Sequence, residues 1–307
     1  MKPIPIVFHL GPLQIHTYGI GLAITFWFAY RYFAKRLRDH GYPDHWLGRA
    51  FVWIIVASIV GARAGSVIPN WSSYSSDPLG IFAVWHGGLS SFGGLAGGIP
   101  AGLICARRWC KELKLSVALD LVAPVLVAAW AVGRLLGPQL MYQGGGKPTT
   151  AWFGMYYAGQ VGKRVPVPIW QAIECTIIFV VALAVERWIA RRGGPIGVVI
   201  TVVVTLYGLA RFFDEYIFLS QGKLGDHGVE VASVVFVVAG LTLAAVLVRR
   251  GRTKLVAEPA RTALPERGSP SDPWAAPPRP EQPENQTEAP AETAEPLPAS
   301  SSAADGG

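Results

Sequence analysis

Seven stretches of this chain are apolar over about 17 to 25 residues, enough for each to cross a hydrocarbon core about 30 Å thick as a helix. They run Ile15–Arg31, Leu47–Pro69, Gly87–Ala106, Ala118–Tyr142, Ile169–Val185, Ile196–Leu219 and Val229–Val248. Inside a bilayer the backbone must satisfy its own N–H and C=O groups, which favours helices for runs of this length. The expected fold is an all-α, polytopic membrane protein of about seven transmembrane helices. Composition agrees: 51% of the residues are hydrophobic and 15% charged, against about 25% charged in soluble domains.

The charge of the connecting loops alternates. Arg31, Lys35, Arg36 and Arg38 follow the first run, nothing basic lies between Pro69 and His86, and Arg107, Arg108 and Lys111 follow the third. Arg187, Arg191 and Arg192 follow the fifth run and Arg249, Arg250 and Arg252 the seventh, whereas the loop after the sixth sets Lys223 against Asp226. Basic loops stay on the cytoplasmic side, so the N-terminus is expected outside and the C-terminus in the cytoplasm. The net charge of +7 is thus a topology signal, and no nucleic-acid partner is expected.

The loop Gln143–Val167 is long, glycine-rich and, on this topology, external. Residues 1–252 form the expected membrane unit. Residues 253–307 are rich in Pro, Glu, Ala and Ser, too poor in large apolar groups to offset ordering entropy, and read as a disordered cytoplasmic tail. Cys105, Cys110 and Cys175 lie at no metal-ligand or Cys-x-x-Cys spacing and read as free thiols. No charged leader and cleavage site opens the chain, no internal repeat is evident, and neither metal nor cofactor is implied.

Three arginines interrupt the apolar runs: Arg63 in the second, Arg134 in the fourth and Arg211 in the sixth. All three runs cross from inside to outside, and each arginine falls in the outer part of its run, about 9 to 12 Å from the outer end at 1.5 Å per residue. One arginine can snorkel to the interface or pair with a neighbour, as Arg211 can with Glu215 one turn on. Three at one level repel unless an anion bridges them, and phosphate matches their forked geometry. The implied ligand is a lipid phosphate in the outer leaflet. Gly87 and Gly88, before the third helix, and Gly144 to Gly146, after the fourth, can present backbone N–H groups to such an anion or simply let helices approach. His16 and Tyr18 open the first helix at the same interface, where tyrosine commonly serves as an anchor.

These residues also carry a resemblance. Gly11-Pro12 through His16-Thr17-Tyr18-Gly19, Gly61-Ala62-Arg63, Trp85-His86-Gly87-Gly88-Leu89, Asp120 with Ala123-Pro124, Gly133-Arg134-Leu135, Lys147-Pro148-Thr149-Thr150 and Tyr207 through Glu215 stand in the order found in prolipoprotein diacylglyceryl transferases. The chain resembles that family from about Ile6 to Arg250. The resemblance implies a bacterial plasma-membrane enzyme that moves the diacylglyceryl group of phosphatidylglycerol to the lipobox cysteine of a prolipoprotein, forming a thioether and releasing glycerol phosphate. By that resemblance Arg134 and Arg211 hold the phosphate and leaving group, with Arg63, Gly87 and Gly88 also at the lipid; Glu215 orients Arg211, and Tyr18 and Tyr207 line the site.

Several positions depart from the family pattern. Phe92 stands where many members have histidine, Pro138 is the nearest counterpart of an asparagine, and Gln143 replaces an acid. The stretch His-Pro-x-x-Leu-Tyr-Glu reads Val165-Pro166-Val167-Pro168-Ile169-Trp170-Gln171. Phosphate binding is retained in this pattern, while the group that takes the thiol proton is unassigned; His16 and His86 are candidates by location alone. The alternative is a catalytically impaired paralogue that binds phosphatidylglycerol or prolipoprotein without turnover. A transporter would instead place its polar site at the midplane.

Overall fold

The computed structural model describes residues 7–10, 13–74, 80–81, 90–137, 144–219, 227–252 and 264–278. A short hairpin, β1 (Val7–Leu10) paired antiparallel with β2 (Leu13–His16), leads into α1 (Thr17–Asp39). Then come α2 (Leu47–Val67), a single turn α3 (Trp71–Tyr74), α4 (Ser91–Trp109), α5 (Leu115–Leu136), α6 (Val167–Arg192), α7 (Val198–Asp214) and α8 (His227–Arg252). Between α5 and α6 lies a two-residue ladder of β3 (Met155–Tyr156) and β4 (Lys163–Arg164). Each expected apolar run coincides with one long helix.

Local chemistry sets the ends. The Ser90 side chain accepts the Gly93 N–H at 3.3 Å and caps α4, a residue type that satisfies an otherwise unpaired N-terminal donor. Helix α6 stops where Gly193 turns left-handed at φ 69°, and α7 starts after Gly197 at φ 102°, values that side chains rarely tolerate. The basic run after Arg31 does not end α1, which continues to Asp39.

Among the described residues three helices, α2, α5 and α6, are long and apolar enough to cross a membrane. Much of their outer surface is apolar and exposed, including Trp53, Val56 and Val60 on α2, Leu126 on α5, and Ile177 and Val180 on α6. Apolar surface on this scale belongs against lipid. The chain is therefore a mostly helical protein of membrane character.

Without a hydrophobic drive between helices in lipid, close packing does the work. Gly61 and Gly65 of α2 face Gly93 and Gly97 of α4; a Cβ on Gly61 would overlap the Gly93 carbonyl, and one on Gly97 the Ala57 carbonyl. This four-residue spacing of small residues on both helices brings the backbones into contact. Elsewhere α5 packs on α6 and α1, and α7 on α8.

One end of the bundle is closed by a segment that composition had assigned to a solvated tail. Residues 264–276 pack under α1, α5 and α6 as a strap, and its Trp274 is 2% exposed. Trp274 Nε1 donates to Asp120 Oδ2 at 3.3 Å, and the same carboxylate takes the N–H groups of Gly197 at 2.6 Å and Ile200 at 2.9 Å. Asp120 thus caps α7 from within α5, its charge against the positive end of the helix dipole. His40 Nδ1 meets Asp272 Oδ2 at 2.6 Å, Ala276 N–H donates to the His40 carbonyl, and Arg267 reaches Asp39 at 3.2 Å. Beside them Arg36 Nη2 meets Glu186 Oε2 at 2.9 Å, both residues buried, while Arg36 Nε donates to the Leu121 carbonyl.

Asp272 gives the strap a pH signature. Burial raises its pKa, but hydrogen bonds from His40 and from the Gly268 and Trp274 N–H groups outweigh burial and hold the carboxyl below its usual value. A depressed folded pKa contributes stability that is present above the unfolded value of about 3.9 and lost as pH falls through the folded one. Hydrogen exchange at the amides of 264–276 is expected to stay protected at neutral pH and to accelerate below about pH 4, and Asp272→Asn to remove that step. Protection, corrected for the intrinsic slowing of exchange in acid, that falls equally in wild type and Asp272→Asn would contradict it.

Candidate functional site

The opposite ends of α5, α6 and α7 converge on a small cavity lined by Trp130, Gln171, Glu174, Cys175, Tyr207, Ala210, Arg211 and Asp214. Helical spacing explains the set. Tyr207, Arg211 and Asp214 lie at intervals of four and three on one face of α7, and Gln171, Glu174 and Cys175 occupy one face of α6.

Arg134, one turn past Trp130 on α5, lies over the Trp130 ring at 5.1 Å and within electrostatic reach of Tyr207, Arg211, Cys175 and Asp214. Trp130 in turn meets Tyr207 edge-on, centroids 5.8 Å apart. Arg211 Nη2 donates to Glu215 Oε2 at 3.2 Å, as the four-residue spacing predicts. Two guanidinium atoms are left over: among the described residues Arg134 Nε and Arg211 Nη1 are buried without a hydrogen-bond partner. Buried donors of this kind are rarely left unmade, so the pair marks a place for an acceptor.

Glu215 begins a π-helical turn, Glu215–Leu219, that continues α7 with wider winding; such turns recur at functional sites. The 144–166 loop holds it in place. Lys147 N–H donates to the Phe218 carbonyl at 2.8 Å and Lys147 Nζ to the Tyr216 carbonyl at 3.1 Å, while Trp170 stacks on Phe218 at 5.9 Å. Within the loop, Gly145 exchanges two hydrogen bonds with the Gln160 side chain and Gly146 N–H donates to the Val165 carbonyl. These two glycine N–H groups therefore serve close packing and do not face an anion.

The residues expected at the site separate accordingly. Arg134, Arg211, Glu215 and Tyr207 come together. Arg63 is held elsewhere: its Nε and Nη2 donate to the carbonyls of Ile81 and Gly80, and the guanidinium lies 5.2 Å from the Tyr74 ring centre. A buried arginine this well supplied with carbonyls anchors a loop. Of Tyr18 and His16 only the backbone is described, at the start of α1 and the end of β2, and of Phe92 only its helical place in α4. His86, Gly87, Gly88, Pro138 and Gln143 lie outside the described residues.

A second feature of the cavity has no counterpart in the sequence reading. Gln171, at the acidic end of the resembled motif, donates from Nε2 to Asp214 Oδ2 at 2.6 Å. Glu174 faces Asp214 from the next turn of α6. An amide at 171 is thus matched by a carboxylate across the helix interface, and two acids, Glu174 three residues after Gln171 and Asp214 three after Arg211, were the available signal.

Residues 5–248 match the family model of prolipoprotein diacylglyceryl transferase. The phosphatidylglycerol–prolipoprotein diacylglyceryl transferase of Geobacter sulfurreducens is 31% identical over 258 residues, covering 80% of this chain and 96% of that protein. Those of Nitratidesulfovibrio vulgaris and Brucella anthropi are 31% and 29% identical, covering 72% of this chain and 83% and 81% of their own lengths. With a match that runs from β1 into α8, this chain belongs to the prolipoprotein diacylglyceryl transferase family.

Proposed function

We propose that the chain transfers the diacylglyceryl group of phosphatidylglycerol to the lipobox cysteine thiol of prolipoproteins in the bacterial plasma membrane. The observation that carries this reading is the pair of buried guanidinium atoms on Arg134 and Arg211 with no partner among the described residues, Arg211 lining the cavity and Arg134 lying over its Trp130 wall. Transfer forms a sulfur–carbon bond and breaks the carbon–oxygen bond to phosphate, so glycerol phosphate departs as an anion. Donors fixed in advance in a dry site stabilise that developing charge without reorganising. Glu215 holds Arg211 in place through Nη2 and leaves Nη1 for the phosphate.

The topology proposed with this function has seven spans, the N-terminus outside and the arginine-bearing ends of α5 and α7 toward the outer leaflet, where phosphatidylglycerol and an exported precursor both arrive. Alternation of basic loops supports that orientation. The strap then lies on the cytoplasmic side.

Reconstitution with phosphatidylglycerol and a lipobox peptide is expected to yield, by mass spectrometry, a peptide heavier by one diacylglyceryl group on its cysteine. Folded protein that binds the lipid but makes no adduct would instead establish the non-catalytic paralogue.

A further inference from the structure

The proposed transfer requires that the thiol lose its proton, since thiolate is the nucleophile. The cavity contains a carboxylate suited to take it. Asp214 is 2% exposed; its Oδ2 receives the Gln171 N–H at 2.6 Å, and its buried Oδ1 has no donor among the described residues besides the Glu174 carboxyl, with which Asp214 shares a hydrogen bond. Leaving a buried acceptor unmade costs about 1 to 3 kcal/mol. Glu215, the neighbouring acid, is already engaged by Arg211. A molecule at this cavity therefore meets the guanidinium groups of Arg211 and, over the Trp130 wall, of Arg134, and also the paired Asp214 and Glu174 carboxyls with the Gln171 side chain. The first pair suits a phosphate. The second suits an S–H or O–H donor.

We infer that Asp214 Oδ1 is the acceptor of the lipobox thiol proton, with Gln171 as the positioning residue that aims the carboxylate and Glu174 as a second carboxyl beside it. The assignment rests on the proposed transferase function. In the step, the thiol sulfur bonds to the terminal glyceryl carbon of the diacylglyceryl group as its proton passes to Asp214. The carbon–oxygen bonding pair leaves with glycerol phosphate beside Arg211, and the proton then passes from Asp214 to the departing phosphate or to water. No oxidant, reductant or further reactant is needed. The charged and titratable groups facing Asp214 are Glu174 and Cys175 from α6, Arg134 from α5, and Tyr207 and Arg211 from α7. Lys147 sits two residues further on, at the Tyr216 carbonyl.

The test uses the full chain in phosphatidylglycerol vesicles with two lipobox peptides, one carrying cysteine and one selenocysteine, whose selenol is ionised at neutral pH and needs no base. With the cysteine peptide, Asp214→Asn is expected to lower kcat on the order of 100-fold, to leave lipid binding within about threefold of wild type, and to lose the acid limb of the rate profile. With the selenocysteine peptide the same variant is expected to recover most of the wild-type rate, a rescue that a structural role does not produce. Turnover of the cysteine peptide within threefold of wild type, or loss of lipid binding in step with turnover, overturns the assignment. If Asp214→Asn does not fold, Gln171→Leu decides: a loss with the cysteine peptide that the selenocysteine peptide restores supports the base, and an equal loss or no loss with both peptides rejects it. Absence of adduct with either peptide in wild type removes the transferase reading itself, and this assignment with it.

Discussion

Arg211→Ala is expected to reduce diacylglyceryl transfer by on the order of 10²- to 10³-fold, the usual effect of deleting one preorganised donor to a developing anion. The deletion acts twice. It removes Nη1 from the phosphate and also strands Glu215, which is 7% exposed and has Arg211 as its ion-pair partner at 3.2 Å. Arg134→Ala is expected to approach the same loss through Nε alone, and Lys147→Ala to fall well short of either, because its Nζ bonds a backbone carbonyl at the protein surface. The measurement is initial rate of thioether formation in vesicles, with lipid binding followed in parallel. Equal tolerance at all three positions would remove the phosphate clamp. Arg211→Lys separates charge from shape: a point charge lacks the fork that holds Glu215 and the phosphate together, so it is expected to recover only a minor part of the rate.

The largest loss of stability is expected at the other end of the molecule. Glu186→Ala leaves Arg36, 2% exposed, with the Leu121 carbonyl as its remaining hydrogen-bond acceptor among the described residues. Removing one member of a buried ion pair costs about 3 to 5 kcal/mol, chiefly because the surviving charge stays out of water. The double variant Arg36→Met/Glu186→Leu removes both charges and is expected to regain much of that loss. Denaturant unfolding in mixed micelles reads both. A single variant as stable as wild type, or a double variant no better than the single, would refute the argument. The strap is involved as well, since Arg267 Nη2 approaches Glu186 Oε1 at 3.9 Å.

The helices were legible because burial in lipid imposes a length and an apolarity that single residues carry openly. The convergence of Arg134 and Arg211 was legible for the same reason: two helices of the same direction, each charged near the same end, bring those charges to one level. Arg63 satisfied the same rule yet is bound by the carbonyls of Gly80 and Ile81, because a loop's path is not encoded in spacing along a helix. The Gln171–Asp214 bond was hidden for a related reason. Each residue alone reads as a polar exception in an apolar run, and only the packing of α6 on α7 makes them partners. The π-helical turn depends on hydrogen bonds from the 144–166 loop that no propensity anticipates.

The strap escaped because composition averages. Over residues 253–307 the polar and proline content dominates, yet among the described residues of that stretch Trp274, its single tryptophan, and Asp272 two residues before it are the ones that become buried. An isolated aromatic beside an acid in an otherwise solvated sequence is the signal that was there to read.

The strap also has a consequence for biosynthesis. Its residues leave the ribosome after every long helix has been made, so Asp120 and His40 wait, uncovered, until the rest of the fold is in place. A chain halted at Arg252 would have its spans and its arginines but an unsealed base, with α7 capped by a carboxylate open to water. Closure of the bundle end away from Arg134 and Arg211 therefore waits for Trp274, which is translated after α8.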